Sequence, residues 1–398
     1  MSRVLLVCPE PLAHRQPAGI GIRFLEMEKA LRADGHAITI LSADGAGNTR
    51  NTITAENLAR SSGDCDVAVV QGHAANEFFA HARPIPTAVD LYDPFVIENL
   101  HYYNSRGAEV FGHDHATLMG SLLRGDFFLC ASEAQRMFYL GVLLAVGRLN
   151  PVLFEHDSRL ESLIAIAPFG VPPPRQHHGT GKSNILFGGI YDWYDPILAI
   201  DAVALARQTV PETTLTFTRH PNPELTPQGK IAEAMRYVER RGYGSFIRFE
   251  PWVEYERRGE FFDRFALALL TFPQSLETEL SMRTRVYDFL WAGLPVVTSS
   301  APGTDELLMR YRAGLVVQSE WPRDFANAIV HCDGNSMREG IARFVDDHQW
   351  PRVLAPLLEF CRKPRVEPTK EAFAVRLQVP ERPPSILTRL KRRIGGVS

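Results

Sequence analysis

Short β-branched runs alternate with longer amphipathic stretches along most of this chain, the pattern of a parallel sheet whose strands are joined by crossover helices. In the first half the runs VLLVC (4–8), AITIL (37–41), VAVVQ (67–71), TAVDL (87–91), FFLCA (127–131) and LIAIA (163–167) read as buried strands. A helix is predicted over about 20–34, where Phe24, Leu25, Met27, Ala30 and Leu31 fall at helical spacing before Gly35 stops it. The stretch VPPPRQHHGTGKS (171–183) breaks the alternation with three prolines and reads as a linker. A second series then begins: NILFGG (184–189), TLTFT (214–218), SFIRF (245–249), ALALLTF (266–272), PVVTS (295–299) and GLVVQ (314–318).

Two successive units of similar length imply an α/β protein with two Rossmann-like, doubly wound domains facing across a cleft. In such sheets ligands sit at the carboxyl ends of the strands, so the cleft is the expected site. The predicted division is 1–172, a linker at 173–183, 184–345, then helices at 346–379 packing back on the first domain and a basic tail at 380–398. A length of 398 residues suits two cores better than one. Composition adds exclusions. A formal net charge of −3 argues against general nucleic-acid binding. Five scattered cysteines without a C-x-x-C pair suit a reducing cytoplasm and offer no metal framework. The opening MSRVLLVCPEP reads as a first strand rather than a signal peptide, and FYLGVLLAVG (138–147) is half the length of a membrane span. In the tail, Ile386, Leu387, Leu390 and Ile394 interleave with Arg389, Lys391, Arg392 and Arg393. Residues 385–398 therefore read either as a solvated basic tail or as a peripheral contact with an anionic membrane at its inner face.

Five stretches, in order, resemble the GT-B glycosyltransferases, in particular the retaining type that builds cell-wall and surface glycans. They are PAGIGIRFLEMEKALRADGHAITIL, FLCASEAQRMF, IAIAPFGVPPP, RVYDFLWAGLPVVTS and SAPGTDELL, and the resemblance spans roughly residues 1–365. It implies a nucleotide-diphosphate sugar as donor, a glycan, lipid-linked or small-molecule acceptor, retention of configuration, and no cofactor or metal. Three rival readings are a sugar-nucleotide epimerase of the same build, a non-catalytic nucleotide-binding relative, and a plain structural Rossmann pair with no nucleotide affinity.

The candidate residues follow from chemistry and from that resemblance. In RTRVYDFLWAGLPVV (283–297), Arg285 and Asp288 stand three apart on one helix face. A guanidinium fork suits phosphate oxygens and a carboxylate suits ribose hydroxyls. Arg283, Arg285 and Asp288 are therefore assigned to the donor's diphosphate and nucleoside, with an i,i+3 surface ion pair as the bland alternative. Gly19 and Gly21, read in a loop before the first helix, would let backbone N–H groups approach a phosphate. A tight G-x-G-x-x-G is missing, which disfavours a dinucleotide-dependent oxidoreductase.

The chain departs from the resemblance twice. Leu280, not Glu, stands eight residues before Asp288, so Glu277 or Glu279 is assigned to the donor sugar. In FGGIYDWYDP (187–196) no base follows the first Gly, and Asp192, Trp193 and Tyr194 are assigned to the donor pocket instead. Arg219 and His220 are spare anion candidates. On the first domain, Asp90 and His73 are assigned as catalytic and Asp93 to the acceptor side, each at a strand end. The triplet HDH (113–115), read on a Gly-flanked loop, is discounted as a metal site.

Overall fold

The computed structural model describes residues 1–13, 19–102, 107–176, 183–219 and 229–373. The tail at 380–398, most of the linker and His220 lie outside the described residues.

All twelve sequence-predicted strands form. The first six are β1 (Arg3–Cys8), β2 (Ala37–Ser42), β3 (Val67–Gln71), β4 (Thr87–Asp90), β5 (Phe127–Cys130) and β6 (Ile164–Ile166). They make one sheet in the order β2-β1-β3-β4-β5-β6. The next six are β7 (Asn184–Gly189), β8 (Thr214–Arg219), β9 (Ile247–Pro251), β10 (Leu267–Leu270), β11 (Val296–Ser299) and β12 (Gly314–Val317). Their order is β12-β11-β10-β7-β8-β9. Every pairing in both sheets is parallel. Parallel strands must be covered on both faces, which is why β1 reads as an unbroken apolar run with Val4 to Cys8 fully buried. Each such side chain contributes roughly 1.5–3 kcal/mol on burial.

The chain order reverses direction between β1 and β3 in the first sheet and between β7 and β10 in the second. Crevices at such reversals, beyond the strands' carboxyl ends, are where ligands bind. The fold is thus the pair of facing, doubly wound lobes that the sequence implies. At its second switch point β7 ends irregularly: its register with β8 shifts between Leu186 and Gly188, and Gly188 has φ +83°. A side chain is strained in that conformation, so glycine is required.

The first helix, Gly19–Ala33, packs Phe24, Met27, Ala30 and Leu31 into the core, and Gly35 at φ +90° closes it. It begins earlier than the sequence reading had it. Gly19 and Gly21 lie in its first turn, not in a loop: Ile20, Phe24 and Met27, at i, i+4 and i+7, already share one helix face. The HDH triplet is likewise helical, inside Ala108–Arg124.

After the second sheet, the helices Trp350–Val353 and Ala355–Arg362 return to the first lobe. Ser2 Oγ donates to Cys361 O, Arg362 pairs with Asp34, and buried Arg148 reaches Glu367. The linker is anchored at its start, where Arg175 pairs with Asp263 and Trp291 Nε1 donates to Pro173 O. No helix among the described residues is long and apolar enough to cross a membrane.

Candidate active site

The segment between β10 and β11 builds one wall of the cleft. Ser275 caps the short helix Leu276–Leu280 by accepting from Thr278 N. Arg283 then precedes the helix Thr284–Trp291, which turns Val286, Tyr287, Phe289 and Leu290 inward and leaves Arg285 and Asp288 at the cleft. Gly293, at φ +81°, ends this helix and lets the chain enter β11.

Arg285 occupies the central position. Its guanidinium lies 4.8 Å from the Tyr191 ring centroid and 5.1 Å from that of Tyr194, and it donates to Gly189 O at the end of β7. Its Nη2 has no hydrogen-bond partner among the described residues. A Cβ on Gly189 would come within 2.9 Å of that Nη2 and 2.9 Å of the Trp252 ring. Glycine therefore stands where an arginine is absent for a packing reason: a side chain there would collide with Arg285.

Arg285 lines two cavities at once. One, of about 100 Å³, is walled mainly by apolar and aromatic groups, among them Leu186, Trp252, Phe261 and Phe289, with Arg258 and Asp288 as its charges. Arg258 Nε donates to Asp288 Oδ1 at 3.1 Å and Nη1 to Tyr255 O at 2.6 Å. Its guanidinium sits 3.5 Å from the Tyr255 ring centroid and 4.5 Å from that of Trp291. Its Nη2, like that of Arg285, lacks an acceptor among the described residues. Burial pushes the Asp288 carboxyl up, against the pull of Arg258 and Arg285.

The other cavity, of about 260 Å³, lies between the lobes. Its second-lobe wall holds Tyr191, Trp193, Tyr194, Arg283 and Arg285. Tyr191 and Trp193 stack at 4.9 Å, and His101 of the first lobe approaches Trp193 to 6.5 Å. Arg283 is buried and held by both oxygens of Glu277, at 2.6 and 2.8 Å, with the Phe272 ring beneath it at 4.5 Å. The first-lobe wall holds Glu10, Gly19, Tyr92, Asp93 and Glu98. Gln135 fastens the two walls, its Nε2 donating to Tyr92 O on one lobe and Leu280 O on the other.

The structure thus brings Arg285, Asp288, Trp193, Tyr194, Arg283, Gly19 and Asp93 together at the two cavities. Other candidates sit elsewhere. Asp90 is sealed in the first lobe, paired through both oxygens with the fully buried Arg23, which also donates to Ala167 O and Pro168 O. That pairing replaces the catalytic role assigned to it, and Tyr92 and Asp93 reach the cavity instead. His73 sits in the first turn of the helix Gly72–His81, with Nε2 2.9 Å from Asp114 and Nδ1 3.3 Å from Thr117 Oγ1. Both ring nitrogens are engaged within the lobe, and burial lowers its pKa. Gly21 N donates to Glu10 Oε2 at 2.8 Å, so this N–H already has an anion within the protein. Glu277 is neutralised by Arg283, Glu279 is exposed, and Asp192 lies between the two cavity aromatics without lining the cavity. Arg219 is exposed at the end of β8.

Sequence reasoning missed Arg258, Glu98, Glu10 and Tyr191. Arg258 had a weak signal in YERR (255–258), basic residues soon after a strand end, but its pairing with Asp288 is purely tertiary. Among the described residues no group of three or more His, Cys, Asp or Glu is arranged to hold a metal ion.

No sequence-family model and no curated protein sequence matches the chain. Solved structures do. Anabaena HepE in complex with UDP and glucose is similar at a TM-score of 0.62 and 13% identity, with 91% of this chain and 100% of that chain covered. A sucrose-phosphate synthase from Thermosynechococcus elongatus is similar at 0.62 and 12%, covering 91% and 99%. AviGT4, a glycosyltransferase involved in avilamycin A biosynthesis, is similar at 0.58 and 16%, covering 91% and 98%. At these identities the likeness shows a shared fold, that of the GT-B glycosyltransferases.

Proposed function

We propose that this chain is a glycosyltransferase that moves a hexose or related sugar from a nucleoside-diphosphate sugar to a hydroxyl of a glycan, lipid-linked or small-molecule acceptor. The observation that carries the reading is the place of Arg285. It borders both a small aromatic-lined pocket containing Asp288 and the larger cavity between the lobes, and its Nη2 has no acceptor among the described residues. A nucleoside in the first, a diphosphate on Arg285 and Arg258, and a sugar in the second would satisfy both arginines and give Asp288 a ribose to hold.

Chemistry at the anomeric carbon builds negative charge on the leaving diphosphate. Fixed cations aimed at that charge are the strongest means of lowering the barrier. With arginines supplying the counter-charge, transfer is expected to proceed in the presence of a chelator. Retention of configuration is the outcome that the sequence resemblance supports. The tail at 385–398 is proposed to bring the protein to anionic membranes, and loss of flotation with anionic vesicles at low salt would remove that part alone.

The test is a thermal-shift panel of UDP, GDP, ADP and their sugars on the parent, Arg285→Ala and Asp288→Ala. UDP is the first probe because the HepE structure holds it. Stabilisation of the parent that both variants lose supports the reading; equal stabilisation of all three proteins contradicts it. The acidic first-lobe wall also suits an epimerase, which would need acid and base groups around the sugar. Epimerised sugar formed without any acceptor would select that alternative.

A further inference from the structure

The cavity wall opposite Arg283 and Arg285 is acidic. Asp93 and Glu98 line it together with Glu10. Glu98 Oε1 also accepts from Ser281 Oγ at 3.1 Å, across the cleft. Such a cluster alone says nothing about a ligand. Two buried polar atoms on residues lining the same cavity do: the Tyr92 hydroxyl and Arg283 Nε have no hydrogen-bond partner among the described residues. Buried polar groups are normally satisfied, and an incoming hydroxylated ligand would complete both.

Resting on the donor reading above, we propose that this cavity holds the transferred sugar, and that Asp93 and Glu98 select an uncharged sugar over a uronic acid. A neutral hexose brings hydroxyls that donate to the carboxyl oxygens and accept from Tyr92. A sugar carboxylate would meet the charge of the pair while the two cations that also line the cavity, Arg283 and Arg285, are engaged elsewhere. Arg283 is held by both oxygens of Glu277, and Arg285, which lines both cavities, would on the donor reading be taken by the diphosphate. Juxtaposed like charges in a partly desolvated site are how proteins reject a competing ligand.

The electrostatics agree. Burial pushes Asp93 up to about 6 and raises Glu98 as well. Glu10, Asp90 and Glu277 repel from the neighbouring elements, while Ser281 and Arg283 oppose the rise at Glu98. At neutral pH Asp93 is therefore ionised, and this wall carries negative charge.

The experiment is calorimetric titration of the full chain with UDP, UDP-glucose and UDP-glucuronate, for the parent, Asp93→Asn and Asp93→Asn/Glu98→Gln. The parent is expected to bind UDP-glucuronate about tenfold or more weakly than UDP-glucose. The double variant is expected to shrink that gap to about threefold or less while UDP affinity stays within about twofold, which also reports a folded protein. Equal affinity of the parent for the two sugars, or a gap that survives in the double variant, overturns the selectivity while leaving the donor reading intact. Failure of UDP itself to bind the parent overturns both.

Discussion

Two buried arginine–carboxylate pairs, one in each lobe, differ in how completely they are satisfied. Arg23 gives Nε and Nη2 to Asp90, Nη2 also to Ala167 O and Nη1 to Pro168 O, so each of its nitrogens has a partner and both side chains are fully sealed. Arg258 pairs with Asp288 and Arg285 stands on the same helix as that carboxylate, yet each arginine keeps an Nη2 without an acceptor among the described residues, beside a cavity. A satisfied network ties the first helix to β4 and the end of β6, and it has no capacity left for a ligand. An unsatisfied one invites an anion. Burial of charge by itself does not mark a site; burial with donors left over does.

The most severe way to break the contrast is to remove Arg23. Arg23→Ala leaves Asp90 buried and unpaired and is expected to cost about 3–5 kcal/mol of stability, read from denaturant midpoints. A loss below about 1 kcal/mol would mean that Asp90 finds water or another partner. Arg285→Ala should behave oppositely. Its melting transition should stay close to the parent's, while affinity for a nucleoside diphosphate falls by roughly ten- to a hundredfold, the worth of a charge-assisted hydrogen bond.

A third variant sharpens the comparison through pH. Asp93 and Glu98 are raised in the folded state, so folding takes up protons between the ordinary carboxylate range and their raised values. Their contribution to stability therefore falls as pH rises through that window and stays low above it. Asp93→Asn/Glu98→Gln should then be more stable than the parent at neutral pH, by about 1–2 kcal/mol, with the advantage fading on acidification. Melting curves at several pH values would show it; an advantage that grew toward acid would have the wrong sign. The smallest effect is expected from Gly189→Ala. Its added Cβ would press on Arg285 Nη2 and the Trp252 ring, and a several-fold loss of nucleotide affinity with about 1 kcal/mol or less of destabilisation is anticipated.

Much of the frame was legible in the sequence because its cause is local. Strands such as VAVVQ and NILFGG are short apolar runs bounded by turn residues, and their periodicity survives any tertiary detail. The helix with Arg285 and Asp288 was legible for the same reason, since a spacing of three fixes a common face. The partners of those residues were not. Arg258 comes from the connection after β9 and meets Asp288 only through the second lobe's packing. Glu98 follows a Pro-started turn and becomes interesting only because Ser281 of the other lobe lies against it. Asp90 misled for a related reason. A strand-end aspartate looks the same in sequence whether it faces a cleft or a buried arginine sixty-seven residues away. Gly19 and Gly21 were read in a loop because glycine suits a close backbone approach to a phosphate, yet the first turn of a helix accommodates it as well.

The central claim, that Arg285 grips a diphosphate between a nucleoside pocket and a sugar cavity, is tested most directly by a crystal structure of the protein soaked with UDP. The account expects phosphate oxygens within hydrogen-bond distance, about 3 Å, of Arg285 Nη2, with the ribose hydroxyls on Asp288. A nucleotide bound elsewhere, or Arg285 still turned to Gly189 O beside a cleft that the ligand does not enter, would contradict it.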